Sequence, residues 1–359
     1  MDMRKIDYLL IGQGTAGSLL AWQLMQKGCR VLVVDDGRPS SSRVAAGICN
    51  PVTGRKLTRT WLADELFPYL HDFYRNLERE LDTSFFHPVP LYRPYQSIEE
   101  QNFFIAQTAN PLLQDYVRLS ASDRAYASLI HNELGGLETL QAAWVDLPVM
   151  LDALRGRFRE AGALAEDSFS WDDVIREEDS VTWKDIRARK IISCEGAYAR
   201  FGPYFGWLPW AVVKGEILSV DWPGQSLPGI VNQSIWIQPH KDGTFRVGST
   251  YEWDDLDWEP TEKGRTYLEG KLTKLTKLPF EIQCHVAGIR PATQGRRPFA
   301  GLHPEYTPIG IFNGLGSKGT SLAPFLSRQL ADFLTEGKEL HPDANIERFH
   351  SLYFSSLKS

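Results

Sequence analysis

The sequence predicts a mixed α/β protein, with a Rossmann-like nucleotide-binding unit at its start and a mostly antiparallel β-sheet further on. Three observations carry this. Residues 1–36 read as strand, glycine-rich turn, helix and strand. The window from Trp207 to Trp258 reads as short strands joined by tight turns. Strand, glycine-rich turn and helix then recur near the end of the chain.

At 359 residues with 43% hydrophobic content, the chain can form two domains with a sizeable core. A net charge of −6 argues against a general nucleic-acid binder, which needs a concentrated basic face. Cys29, Cys49, Cys194 and Cys284 lie far apart, with no C-x-x-C pair, so reduced thiols in a cytoplasmic protein are expected. Neither a signal peptide nor a membrane span is expected, and no metal site.

The opening unit is the most specific. An apolar run over 8–11 meets Gly12-x-Gly14-x-x-Gly17, a helical stretch covers 15–27, and a second apolar run over 30–34 ends in Asp35 and Asp36. That order is the dinucleotide-binding βαβ fingerprint. Gly12 permits the tight turn, Gly14 has no Cβ to block a pyrophosphate, and Gly17 lets helix pack on strand. Free N–H groups where Thr15 and Ala16 open the helix would face phosphates. Asp35 lies 18 residues past Gly17, where a carboxylate can accept from a ribose diol. The fingerprint alone does not choose between NAD, NADP and FAD.

A turn-rich loop, Gly37 to Arg43, leads to Ala45-Ala46-Gly47, small residues that let backbone approach something flat or anionic; a tightly packed helix start is the alternative. Arg55, Lys56 and Arg59 fall within five residues, usually a solvated cluster. Periodicity predicts a helix over 62–81 with Leu66, Leu70, Phe73, Leu77 and Leu81 on one face, a strand over 85–93 and a helix over 97–108. Gly135-Gly136 marks a break, and Asp146 with Pro148 opens a helix to Glu160. Strands over 169–171, 174–177 and 181–184 lead to an apolar strand from Lys190 ending at Gly196.

Six of the eleven tryptophans fall in 207–258, with strands over 215–220, 235–239 and 244–250 and a hairpin turn at Asp242-Gly243. Their tryptophans read as sheet core and domain interface, with a wall for a planar cofactor as the alternative. A helix follows over 261–275. Finally a strand over 309–312 feeds Asn313-Gly314-Leu-Gly316-Ser317-Lys318-Gly319-Thr320 and a helix over 322–335. This end too is built to hold something against backbone N–H groups, although it lacks P-loop spacing.

In this order the motifs resemble the FAD-dependent D-amino-acid oxidase superfamily, which includes glycine and sarcosine oxidases. The resemblance spans the N-terminal fingerprint, Ala45-Ala46-Gly47, Cys194-Glu195-Gly196-Ala197, Lys214-Gly215-Glu216 and Val247-Gly248-Ser249-Thr250. Its most specific parts are Gly288-Ile-Arg290-Pro-x-Thr293 and Gly314-x-Gly316-x-x-Gly319 with Ala323-Pro324. The last phrase also resembles the FAD domain of the bifunctional tRNA wobble-uridine modification enzyme. The chain departs from the superfamily at Gln294-Gly295-Arg296-Arg297, where Pro-Asp is frequent.

The resemblance implies a discontinuous FAD-binding domain (1–84, 141–205 and 285–359) and an inserted, mostly antiparallel substrate domain (85–140 and 206–284). It implies a cofactor site at Gly12, Gly14, Thr15, Ala16, Gly17, Asp35, Asp36, Arg43, Ala46, Gly47, Gly196, Gly288, Arg290, Gly314, Gly316, Ser317, Lys318, Gly319 and Thr320. Arg290 becomes the candidate to hold a substrate carboxylate, an arginine capping a strand end being the alternative. Lys318 would lie near the flavin's pyrimidine edge, Arg55 or Arg59 would be a second carboxylate-binding cation, and Tyr251 is a further catalytic candidate. No cysteine stands at the covalent attachment position near Arg290, so FAD is expected to be noncovalent.

The implied reaction oxidises a C–N bond of a small amino acid or N-substituted glycine. Hydride passes to the flavin, the imine is hydrolysed, and oxygen or another acceptor reoxidises the cofactor. Alternatives are oxidation of a modified tRNA wobble uridine, an NAD(P)-dependent dehydrogenase, and a non-catalytic FAD-binding subunit.

Overall fold

The structure, a computed structural model, describes residues 3–357. Its first sheet is organised by the N-terminal strand, Arg4–Ile11, which pairs in parallel with Val31–Val34 on one side and Ile186–Ser193 on the other. Leu164–Ala165 extends this parallel core beyond Val31–Val34, and Ile309–Asn313 joins it along Ile186–Ser193. Antiparallel strands Val181–Trp183, Val174–Arg176 and Phe299–Leu302 complete it.

Both faces of this core are covered, which explains why its strands are apolar runs and not alternating patterns. Tyr8, Leu10, Val31 and Val33 face one hydrophobic cluster; Leu9, Ile11, Leu32 and Val34 face another. Helices Thr15–Gln26, Ala63–Leu81, Leu147–Glu160 and Gly319–Glu336 pack in the first cluster. The Tyr8 hydroxyl, passing under this layer, donates to the carbonyl of Leu334 at 2.8 Å.

The second sheet runs Glu281–Arg290, Val213–Asp221, Phe245–Gly248, Trp236–Pro239, Ile230–Asn232, Leu91–Pro94, Gly136–Thr139 and Val117–Leu119. Every pairing is antiparallel except that of Ile230–Asn232 with Leu91–Pro94. Helix Glu262–Leu275, capped by Thr261, buries Leu268, Leu272 and Leu275 against it.

Two expected strands change. The stretch 85–93 divides into Phe86–Pro88 and Leu91–Pro94, which join different sheets, because Pro88 and Pro90 lack the N–H groups a continuous ladder needs. No strand forms at 169–171; Trp171 instead opens a 3-10 turn capped by Ser170. The C-terminal helix starts at Gly319, three residues before its apolar pattern begins. The tryptophans serve both expected roles: Trp222 is core at 2% exposure, whereas Trp236 and Trp258 form wall at the cavity described below.

Several polar contacts join the two halves, among them Arg246 with the Val44 and Ala45 carbonyls and an acid–imidazole pair. Asp146 caps helix Leu147–Glu160, accepting from the Val149 N–H at 3.4 Å, and meets His240 Nε2 of the second sheet at 3.5 Å. The bond from His240 holds the Asp146 carboxyl below its ordinary value, and the same bond raises His240. The acid's contribution is present above 3.8 and lost as pH falls through its folded pKa; that of His240 is present below 6.5 and lost as pH rises through its folded pKa. Asp146→Ala should therefore cost about 1–2 kcal/mol in urea unfolding near pH 6. The deficit should narrow at alkaline pH.

Candidate active site

A cleft opens beyond the carboxyl ends of the parallel strands, where open α/β sheets hold their ligands. The register explains its position: Ile11 is level with Val34 and Ser193, and Ser193 with Ile311, so the turns that follow all empty into one space. Gly12, Gly14, Thr15, Ala16, Asp35 and Asp36 line it from the start of the chain; Gly316, Ser317, Lys318, Gly319 and Thr320 line it from the end. The second sheet closes the far side with Gly215, Ile217, Asn232, Trp236, Gly288 and Arg290.

At the fingerprint end, a Cβ on Gly17 would lie 1.9 Å from the Gly12 carbonyl oxygen, so this glycine is fixed by helix-to-turn packing. Gly14, the N-cap of its helix, makes no capping bond. Ser42 takes part instead: its hydroxyl accepts from the Thr15 N–H at 3.0 Å and lies 3.1 Å from Thr15 Oγ1. The Asp35 carboxylate accepts from the Gln13 N–H at 2.8 Å, the Gly37 N–H at 3.1 Å and Arg155 at 3.0 Å. Glu195 also lines this end, accepting from Ser193 Oγ and Trp171 Nε1; burial pushes its carboxyl up.

At the other end lies Arg290, the last residue of Glu281–Arg290. Its Nη2 donates to Ser249 Oγ at 2.8 Å, and both terminal nitrogens reach the Thr250 carbonyl at 3.3 Å. The Tyr251 ring stacks on the guanidinium, 4.7 Å from ring centroid to Cζ. Burial lowers the Arg290 pKa. Room for this side chain comes from Gly215 on the adjoining strand, where a Cβ would lie 1.8 Å from Nη2. Gly215 is paired with Gly288, leaving side-chain-free floor beside the arginine. Lys318 donates to Thr60 Oγ1 at 2.9 Å and approaches Thr53 Oγ1 at 3.4 Å. Among the described residues, neither Arg290 nor Lys318 has a carboxylate partner.

The cavity thus gathers most of the residues singled out from the sequence: Gly12, Gly14, Thr15, Ala16, Asp35, Asp36, Ala46, Gly47, Gly196, Tyr251, Gly288, Arg290 and residues 316–320 of the C-terminal turn. Five fall outside its lining, among them Arg59, which pairs with Asp64. Arg55 is exposed at the tip of the hairpin Val52–Thr53/Thr58–Arg59, and Thr53 is the hairpin residue that faces the cavity. Arg43 points aside to pair with Asp152. Gly17 packs behind the turn, and Gly314, at φ +71°, packs beneath it against Thr293 and Phe299. Ser42, Thr53 and Thr60 carry no signal in the sequence, because isolated serines and threonines have no spacing pattern; Ser249 lies inside a family motif and Trp236 among the tryptophans read as core or wall, but neither has a site role assigned by sequence.

A family model for FAD dependent oxidoreductases matches residues 7–333, and the chain belongs to that family. It is an FAD-dependent oxidoreductase. A glycine oxidase of Pseudomonas aeruginosa is 25% identical, the match covering 92% of this chain and 95% of the relative. A bifunctional tRNA 5-methylaminomethyl-2-thiouridine biosynthesis protein of Marinobacter nauticus is also 25% identical, over 90% of this chain but 54% of its own length. Among solved structures, a glycine oxidase from Bacillus cereus superposes with a TM-score of 0.80 at 18% identity, over 94% of this chain and 96% of its own.

The residues present fit the cofactor this family uses. Helices Thr15–Gln26 and Gly319–Glu336 both begin in the cavity, and neither has a capping bond from its N-cap residue. Their first-turn N–H groups provide two cradles for anionic or polar groups, and Gly215 with Gly288 leaves flat floor between them and Arg290.

Burial, beside Arg296 and Arg297, lowers the Lys318 pKa to about 8. Below that pH the side chain is a cation; above it, a neutral amine. Binding of benzoate to the FAD-loaded protein, followed by flavin absorbance, should weaken as pH rises through about 8. Lys318→Met should abolish that step. Gly215→Ala should displace the guanidinium and weaken benzoate binding about tenfold, roughly 1.4 kcal/mol.

Proposed function

We propose that this enzyme oxidises the C–N bond of a small amino acid or N-substituted glycine. The observation that supports this most is the Arg290 guanidinium: partly buried, oriented by Ser249 and Thr250, faced by Tyr251 and, among the described residues, without an acidic partner. A partly desolvated cation held in this way is stabilised by an incoming anion. Its planar fork matches a carboxylate bidentately.

Bound FAD supplies the two-electron acceptor for the reaction. The chain's own residues position the other reactant. Arg290 anchors the substrate carboxylate, Tyr251 closes on the guanidinium from the solvent side, and Ile217 and Trp236 provide apolar wall. With the carboxylate fixed, the α-C–H and the amine are confined to one orientation, and this restriction is the protein's contribution to the rate. Lys318 adds positive charge at the N-terminus of helix Gly319–Glu336, where it would stabilise an anionic group held in the cavity. No side chain is assigned as general base: an amine that binds uncharged needs none.

Several finer points belong to the same proposal. FAD is held noncovalently: Cys194 is the one cysteine in the described lining, and burial pushes its thiol well above the ordinary range, away from the nucleophilic thiolate. Oxygen or another small acceptor restores the cofactor. Residues 1–84, 141–205 and 285–359 carry the cofactor and 85–140 with 206–284 the substrate, with strand Glu281–Arg290 crossing between them. All four cysteines are free and no described helix is long and apolar enough to cross a membrane, which supports a reducing, cytoplasmic setting. A tRNA substrate would call on the arginines clustered at 55–59 and 296–297 for its phosphates, and two of these are already paired, Arg59 with Asp64 and Arg297 with Asp343. That pairing supports the small-molecule reading.

Purified protein should be yellow, and anaerobic addition of glycine, sarcosine, proline or D-amino acids should bleach one or more of the mixtures. A protein that takes up no FAD, or bleaches with none of these, would refute the assignment. Arg290→Ala should lower kcat/KM about 100-fold, the 2–3 kcal/mol expected of a lost charge-assisted bond.

A further inference from the structure

The segment Tyr251–Pro260, between strand Phe245–Gly248 and helix Glu262–Leu275, has contacts at both ends of the cavity. Tyr251 lies over Arg290 at the substrate end. Trp258 also lines the cavity and stacks on Tyr198, centroids 5.7 Å apart and planes 21° apart. Tyr198 belongs to the nucleotide end: its hydroxyl donates to the Pro39 carbonyl at 3.2 Å, and the Arg38 guanidinium lies 4.8 Å from its ring centroid. Leu256 and Trp258 pack on Ala197, Val212 and Ile289, so the segment straps the second sheet to the turn after Ile186–Ser193.

One buried cation holds the strap at its middle. On strand Val213–Asp221, Gly215 and Ile217 line the cavity, and Lys214 and Glu216 alternate to the opposite side. The Lys214 side chain is 0% exposed, and its ammonium meets Asp255 at 3.3 Å and also Asp257, whose side chains are 53% and 55% exposed. Its backbone exchanges two hydrogen bonds with Glu252, at 2.9 and 3.0 Å. Glu216 secures the far end, accepting from the Thr261 N–H and hydroxyl at 2.9 and 2.8 Å. Both ion pairs of the ammonium are made with strap residues, so lifting the strap breaks the two together and uncovers the lysine that the strap now covers. The strap is therefore held down by a pair of contacts converging on one cation.

We propose that Lys214 is a positioning residue, which acts through Asp255 and Asp257 to hold Tyr251 against Arg290 and Trp258 against Tyr198. Substrate and cofactor are thereby retained by one element. The substrate half of this inference rests on the amino-acid oxidation proposed above; the cofactor half does not.

Lys214→Met keeps the side-chain volume and removes the charge, so the fold should persist. In this variant FAD should dissociate about tenfold faster, measured as flavin fluorescence released on dilution, a change equal to one decade in affinity. Amide hydrogen exchange should rise across 251–260, and with a reducing amino acid KM should rise by a larger factor than kcat falls. The double variant Asp255→Asn/Asp257→Asn, altered only at exposed acids, should shift all three in the same direction. If both variants melt earlier yet keep the wild-type FAD release rate and exchange, Lys214 is a stability element only and the inference fails. If release and exchange change but no amino acid reduces the flavin, the strap stands and the substrate assignment falls.

Discussion

Parallel pairing of Ile186–Ser193 with both Arg4–Ile11 and Ile309–Asn313 brings together turns some 300 residues apart. Each outer strand is followed by a glycine-rich turn and a helix whose first N–H groups have no partner from their own N-cap. Because the three strands are level at their carboxyl ends, both helix starts point into one cavity. A register slip of one residue would invert the two buried faces, so Tyr8, Leu10 and their neighbours enforce the alignment that the site requires.

Against this neutral, backbone-built half stands an electrostatic one. Arg290 enters the cavity from the end of a strand of the second sheet and Lys318 from the start of helix Gly319–Glu336, and among the described residues each is bonded to neutral partners: Ser249, Thr250 and Tyr251 for the first, Thr53 and Thr60 for the second. Three other buried charges have charged or titratable partners: Lys214 has two aspartates, Asp146 has His240, and Glu216 has His285 beside Thr261. Arg93 and Glu195 do not, the first donating to the Gly54 carbonyl and the second accepting from Ser193 and Trp171. An uncompensated cation in a cavity is a cost to the empty protein that an anionic ligand removes.

The second sheet contributes by what it omits. Gly215 and Gly288 face each other across a ladder pair beside Arg290, and side chains at either position would occupy the guanidinium's space or press on Val44 and Ser41. Beta strands disfavour glycine, so two opposed glycines mark a place where close approach outweighs strand stability. The strap Tyr251–Pro260 then covers the two ends, with Lys214 and Glu216 as consecutive anchors on the opposite side of the same strand.

Wherever a requirement is local, the sequence by itself determined the outcome. Gly12-x-Gly14-x-x-Gly17 with Asp35, the second turn at Gly314–Thr320, the caps at Ser97, Asp146 and Thr261, and the Asp242-Gly243 hairpin all depend on neighbours a few residues away. Arg290 and Lys318 were legible because they sit inside such motifs. Only the tertiary structure decided that Thr53, not Arg55, faces the cavity, that Ser42 meets Thr15, and that Trp236 and Trp258 are wall while Trp222 is core. It also decided that Lys214 is buried and answered by Asp255 and Asp257. These outcomes depend on contacts between segments as far apart as Thr53 and Lys318, or on which side of a strand a loop returns. A lysine beside a glycine reads the same on paper whether its ammonium meets water or a pair of carboxylates; burial, and the desolvation it imposes, is set by the fold.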